Sequence, residues 1–229
     1  MSIMEKTLRE TVADYEIHIP MSYQAYQHTF DEDVHVEWVN GEAIIFMSAA
    51  TRHQMIVTYL IHLLRSYVEF FRLGELLSAP YEMKVAPDSN AREPDILFVK
   101  TENKRYLEEQ RLAGVADLVI EVVSPESVKR DNEDKFAEYE AAGVQEYWII
   151  DSRPDHQSAE FWVLDEHGRY QSMPVHNQIY HSTVLSGFWL NTAWLWDMER
   201  YSALAAFAEI ANLPREMIEL LQRGAPENG

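Results

Sequence analysis

The sequence predicts an α/β fold in which a central mixed β-sheet carries helices on its faces. Three observations predict it. Apolar runs bounded by turn residues recur at residues 95–99, 118–123 and 146–150, as buried strands require. Apolar residues at helical spacing mark residues 52–73 and 131–142. Strands and helices alternate along residues 95–150, the order of a sheet with helices packed on it.

Each element has its own warrant. Residues 1–20 are polar and mixed and read as a peripheral N-terminal arm, followed by a short helix over residues 23–30. Val34, Val36 and Trp38 alternate, Asn40-Gly41 supplies a two-residue turn, and residues 43–47 form the second strand of a hairpin. Over residues 52–73, Met55, Ile56, Tyr59, Leu60, Leu63, Leu64, Tyr67, Val68 and Phe71 make one stripe, and Gly74 is the expected stop. Short strands are expected at residues 75–79 and 81–85, a loop at 86–92 and a helix at 104–112. The helix at 131–142 ends at Gly143. Residues 159–164 and 170–173 flank Asp165-Glu166-His167-Gly168 as an added hairpin. Residues 201–222 read as helical, broken at Pro214. The aromatic-rich stretch 184–196 reads as a packing strand and turn, with a subunit interface as a further use. The domain division is thus an arm at 1–20, one domain at 21–198 and a C-terminal helical extension and tail at 199–229.

Composition narrows the function classes. A chain of 229 residues, 47% hydrophobic and 25% charged, is of ordinary globular make-up and long enough to bury a sizeable core. Cysteine is absent, which excludes a disulfide scaffold, a thiol nucleophile and cysteine-ligated metal, and agrees with a cytoplasmic location. No apolar run reaches the length of a membrane span, and the acidic start, with Glu5, Glu10 and Asp14, does not read as a secretory signal. The net charge of −19 counts against loose binding to phosphate backbones. It does not forbid a carboxylate cluster that needs metal.

Two acids stand at strand positions. Asp95 opens one apolar run, and Glu121 lies inside another between Ile120 and Val122. A carboxylate inside a buried strand is costly unless it is paired, protonated or metal-bound. Glu121 is therefore either a site residue or a strand glutamate salt-bridged to a neighbour. On the helix at 131–142, Asn132, Lys135, Phe136, Tyr139 and Ala142 share a side, so Lys135 turns toward the sheet with Phe136 and Tyr139. It is either a partner of Glu121 or a lysine snorkelling from the core edge. Two carboxylates and a lysine suit metal-dependent phosphodiester hydrolysis: hard divalent cations take carboxylate oxygens, a bound metal acidifies water, and a cation offsets developing charge.

Three segments carry a resemblance. They are Glu93-Pro94-Asp95-Ile96-Leu97-Phe98-Val99, Asp117-Leu118-Val119-Ile120-Glu121-Val122-Val123-Ser124-Pro125, and Asp131, Lys135, Tyr139, Ala142-Gly143-Val144 leading into Glu146-Tyr147-Trp148-Ile149-Ile150-Asp151. With Glu37-Trp38-Val39-Asn40-Gly41-Glu42 and His53, the chain resembles the Uma-type putative restriction endonucleases of the PD-(D/E)XK nuclease superfamily over roughly residues 20–190. The resemblance implies a restriction-endonuclease-like core with added β-hairpins and C-terminal helices. It maps the metal acids onto Asp95 and Glu121 and implies Mg2+ or Mn2+ as cofactor. The superfamily lysine two residues after the second acid is replaced here by Val123, which points to Lys135 on the following helix. The family pattern also has a glutamate at Glu42, which either completes a metal shell or is an ordinary hairpin residue. His53 either faces the site or makes a local bond in the first helical turn. Asp117 reads as a loop end, and Asp131 and Asp134 read as acids favoured by a helix start.

Other motifs are absent. No phosphate-cradling glycine loop and no nucleophile elbow occurs, and His53 and His62 are too far apart for a helical zinc pair. The expected function is a metal-dependent endonuclease acting on nucleic acid, with DNA as the first candidate, no membrane, and a two-fold homodimer as the expected assembly. The competing readings are a non-catalytic binding module on a nuclease-like fold and a hydrolase of small phosphoesters.

Overall fold

A computed structural model describes residues 16–30, 34, 36–46, 51–125 and 127–223. The expectations for residues 1–15, Met47 and 224–229 lie outside them. Residues 16–20, the end of the stretch read as a peripheral arm, form strand β1 (Glu16–Pro20). Helix α1 (Tyr23–Thr29) starts where the Ser22 hydroxyl accepts from the Ala25 amide at 3.2 Å. The expected hairpin forms from β2 (Val36–Val39) and β3 (Glu42–Phe46), and Asn40 and Gly41 take the φ values of 51° and 86° that so tight a turn demands.

Helix α2 (Thr51–Phe71) buries Ile56, Leu60, Leu63, Leu64 and Tyr67, while Met55 and Phe71 of the expected stripe stay exposed. Its stop is not Gly74. Arg72 takes the left-handed conformation at φ 56°, and the Leu73 amide donates to the Val68 carbonyl at 3.0 Å. Gly74 opens strand β4 (Gly74–Ser78), where an added Cβ would run into the Val99 carbonyl oxygen. Close backbone approach, not helix termination, is what requires glycine there.

Strands β5 (Glu82–Lys84) and β6 (Ala91–Arg92) follow, the latter at the end of the expected loop, and then β7 (Ile96–Lys100). The expected helix at 104–112 is not formed. A 3-10 turn covers Thr101–Tyr106, and Arg111–Leu112 form β8, laid parallel to β5 with Leu112 fully buried. Pairing with a distant strand outweighs a helical tendency in this polar stretch.

Strand β9 (Leu118–Val123) matches its expected bounds, and α3 (Lys135–Ala142) ends at Gly143, whose φ is 89°. One π turn, Arg130–Asp134, precedes α3. Strands β10 (Glu146–Asp151), β11 (Ser158–Leu164), β12 (Tyr170–Ser172), β13 (Ile179–His181) and β14 (Trp189–Asn191) complete the sheets, and helices α4 (Ala203–Ile210) and α5 (Arg215–Arg223) flank Pro214 as expected.

The central sheet runs β12-β11-β10-β9-β7-β4 and is mixed: β9 and β10 are parallel and their other neighbours antiparallel. A second sheet runs β1-β3-β2-β6-β5-β8. Alternation along β9 sorts the core into two layers. Leu118, Ile120 and Val122 face the layer holding α2 and α4, while Val119 and Val123 face the layer holding Tyr139 of α3. Leu185, Phe188, Leu190, Trp194 and Leu195 lie in the first layer, so much of the aromatic stretch serves this chain's own core. No helix among the described residues is long and apolar enough to cross a membrane.

Candidate active site

Asp95 and Glu121 meet where β7 and β9 pair. The matched pair Ile96 and Ile120 is the last of the ladder, and one step further the register sets Asp95 against Glu121. Alternation along β9 puts Glu121 on the face of Val119 and Val123, while Asp95 stands at the end of the ladder just before β7. Asp95 accepts the Val122 amide at 2.7 Å on Oδ2, which ties its carboxylate to the neighbouring strand.

Helix α3 brings the lysine. Lys135 is buried, and its ammonium donates to Glu121 Oε1 at 2.9 Å. The Tyr139 hydroxyl, one helical turn on, donates to the same oxygen at 2.8 Å. Spacing of i and i+4 places both groups on the sheet-facing side. His53, in the first turn of α2, sets Nε2 3.1 Å from Asp95 Oδ2, while its Nδ1 is buried without a hydrogen-bond partner among the described residues. Asp95, Glu121, Lys135 and His53 are thus brought together.

Glu42 is not among them. Its carboxylate is half-exposed and pairs with His18 of β1 at 3.2 Å. The hairpin glutamate that reaches the cluster is Glu37, fully buried on β2, whose Oε1 lies 3.0 Å from the Lys135 ammonium. Asp131, read from sequence as an acid at a helix start, is also buried, with Oδ1 3.8 Å from the same ammonium. Asp131 lies in the π turn just ahead of Lys135. Asp117 binds the Lys100 amide and the Asn103 side chain, as a loop end does.

Charge in the cluster is unbalanced toward acid. Burial pushes the Glu121 carboxyl up to about 8; Lys135 opposes this, and Asp131, Asp95 and Glu37 add to it. Burial also raises Asp131. Burial acts the same way on Asp95, but His53, the Val122 amide and Lys135 outweigh it and hold that carboxyl below the usual range. Lys135 is held charged because its surrounding carboxylates outweigh the desolvation that would lower it.

Two carboxylates are the type of donor a hard divalent cation takes. The hydrogen bonds from described residues fall on Oδ2 of Asp95 and Oε1 of Glu121, so the second oxygen of each carboxylate takes none. Among the described residues no three His, Asp or Glu side chains converge as a ready-made metal cluster. Magnesium does not need one, since it keeps several waters and binds through one or two carboxylates. A cation would also offset the excess acid that raises Glu121.

A cavity of about 620 Å³ lies on the second sheet's side of Glu37, lined among others by Tyr81, Glu82, Glu93, Glu108, Glu109 and Arg111. With four glutamates to one arginine, that lining is poorly suited to phosphate.

Comparison with known proteins agrees with this architecture. The chain aligns with the crystal structure of a protein from Anabaena variabilis ATCC 29413 described as a putative nuclease belonging to DUF820, with a TM-score of 0.62 and 16% identity, over 78% of this chain and 98% of that one. At that identity the likeness is one of fold. No curated protein matches the chain. Residues 21–193 match the Uma2 family, described as putative restriction endonuclease. The chain therefore belongs to the Uma2 family of restriction-endonuclease-like proteins.

Proposed function

We propose that the chain is a Mg2+- or Mn2+-dependent endonuclease that hydrolyses phosphodiester bonds of DNA. The observation that carries this reading is the buried lysine 2.9 Å from a strand glutamate, with an aspartate just before the neighbouring strand that accepts the amide of the residue after that glutamate. Asp95 and Glu121 would hold the metal, which when bound supplies an acidified water and a counter-charge for the phosphate. Lys135 orients the attacking water and offsets charge gathering on the phosphorus oxygens. His53 fixes the Asp95 carboxylate through Nε2. Burial of all four groups excludes bulk water and strengthens each electrostatic contact. Glu42 enters the proposal only as a residue of the outer hairpin.

The test is a cleavage assay on plasmid DNA and a single-stranded oligonucleotide, with magnesium, manganese or EDTA at low salt, and Lys135→Ala beside the native protein. Cleavage that needs metal and falls steeply, to a slow residual rate, in the variant is the expected result. Cleavage unchanged in EDTA, or unchanged in Lys135→Ala, removes the reading.

A second reading, a binding module without catalysis, is favoured by one observation. The cavity lining carries Glu82, Glu108 and Glu109 against Arg111 alone, a balance that matches a basic partner better than a nucleic acid. Absence of metal binding together with absence of cleavage would select it.

A further inference from the structure

We propose that Glu37 is a positioning residue for the proposed active site: its carboxylate, held from behind by Arg92, fixes the Lys135 ammonium between the two sheets. The inference rests on the reading of Asp95, Glu121 and Lys135 as a phosphodiester-cleaving centre.

Glu37 belongs to β2 of the second sheet, whereas Lys135 belongs to the helix packed on the central sheet. The Glu37 carboxylate divides its two oxygens. Oε1 takes the Lys135 ammonium at 3.0 Å and the Glu93 amide at 3.2 Å, while Oε2 takes the Arg92 guanidinium at 2.8 Å. Arg92 is fixed in turn by Glu138, to which it donates at 2.6 and 2.9 Å. Glu138 stands on α3 one turn after Lys135. The series Glu121, Lys135, Glu37, Arg92, Glu138 therefore runs from the central sheet through α3 to the second sheet and back to α3.

A lysine has a flexible four-carbon stem and a compact charge. One carboxylate fixes its distance but not its direction. A second carboxylate, projecting from another sheet, fixes the direction as well. Arg92, with its planar fork, keeps Glu37 from turning its second oxygen onto the lysine. Buried ion networks of this kind seldom exceed apolar packing in stability. What this one supplies is the location of an ammonium group, and a site group displaced by about 1 Å can lose about a hundredfold in rate.

The experiment is a double-mutant cycle on the full chain, with single-turnover cleavage of plasmid DNA in the native protein, Glu37→Gln, Lys135→Gln and the double variant. Glutamine keeps the shape and removes the charge. The expected result is a loss of about tenfold to a hundredfold in rate for Glu37→Gln, with KM for DNA unchanged and no further loss when Lys135→Gln is already present. The same fold-loss in both backgrounds, or none in the native background, overturns the proposal. A parallel readout needs no activity: the ammonium resonance of Lys135 in protein labelled with 15N-lysine. Native protein should show a slowly exchanging signal that Glu37→Gln removes, and an unaltered signal overturns the proposal. If the native protein cleaves nothing, the nuclease reading fails and the resonance alone decides whether Glu37 positions the lysine. If Glu37→Gln does not fold, Glu37→Asp keeps the charge, withdraws it from Lys135, and is read by the same criteria.

Discussion

The Lys135 ammonium lies 2.9 Å from Glu121 Oε1, joining the first turn of α3 to the middle of β9 within a region where both side chains are buried. Removing one member of such a pair leaves the other either charged without solvent or forced to change its protonation. Lys135→Met should therefore destabilise the fold by about 3 kcal/mol or more, since Glu121 and Glu37 lose their shared cation. Adding Glu121→Gln should recover part of that loss. Urea melts of the two variants check it, and equal midpoints for native and Lys135→Met would show that the pair is not intact in solution.

Glu93 carries a pH prediction. Burial pushes its carboxyl up to about 8, and the nearby Glu37 charge adds to the shift. Below the ordinary value of about 4.3 the group is protonated whether folded or unfolded, and its contribution to stability is fully present. Between there and pH 8 the folded protein holds a proton that the unfolded chain has released, so stability falls as pH rises. Glu93→Gln should flatten the decline by up to one proton, about 1.4 kcal/mol per pH unit. Denaturant midpoints measured from pH 5 to 8 test this, and identical slopes for native and variant would contradict it.

Much of this site was legible because its signals are local. Glu121 stands out as a charge inside an apolar strand, and Lys135 is directed toward the sheet by helical spacing alone. The same spacing rules gave α2 and the Asn40-Gly41 turn. Glu37 was not legible as a site residue, because its role depends on contacts with Arg92 and Lys135 from remote segments. Glu42, five residues later on the partner strand, carries the same chemistry in the same motif and faces His18 instead. Only tertiary placement separates the two. The segment at 104–112 misleads for a related reason: its strand exists through pairing with β5 and has no local period of its own.

Glu146 makes a prediction about the C-terminal half. Its carboxylate is fully buried on β10 and accepts from the Trp148 indole, the Tyr180 hydroxyl, the Ser182 and Thr183 hydroxyls and the Thr183 and Val184 amides. One side chain thus anchors the turn after β13 to the central sheet. Glu146→Ala orphans these donors and should cost about 3 kcal/mol or more. Hydrogen exchange should speed up first at the Thr183 and Val184 amides. Unchanged protection there would contradict the anchoring role.

Gly74→Ala should be costly despite its small size. The new Cβ meets the Val99 carbonyl oxygen, which belongs to the ladder between β4 and β7 and cannot withdraw without breaking it. A loss of about 2 kcal/mol or more is expected, in the range of overpacked cores. Gly168→Ala is a useful contrast, because that turn glycine has open space around its Cβ position and only its φ of 71° to satisfy. Thermal melts should rank Gly74→Ala as the less stable of the two, and the reverse order would contradict the steric account.

The central claim is that Asp95 and Glu121 form the seat of a divalent cation. Calorimetric titration of the full chain with manganese tests it most directly, with Asp95→Asn and Glu121→Gln measured alongside. Both variants keep side-chain shape, and circular dichroism confirms whether each remains folded. The account predicts saturable manganese binding in the native protein that is lost in both folded variants. Native protein that binds no manganese, or variants that bind it as the native protein does, would contradict it.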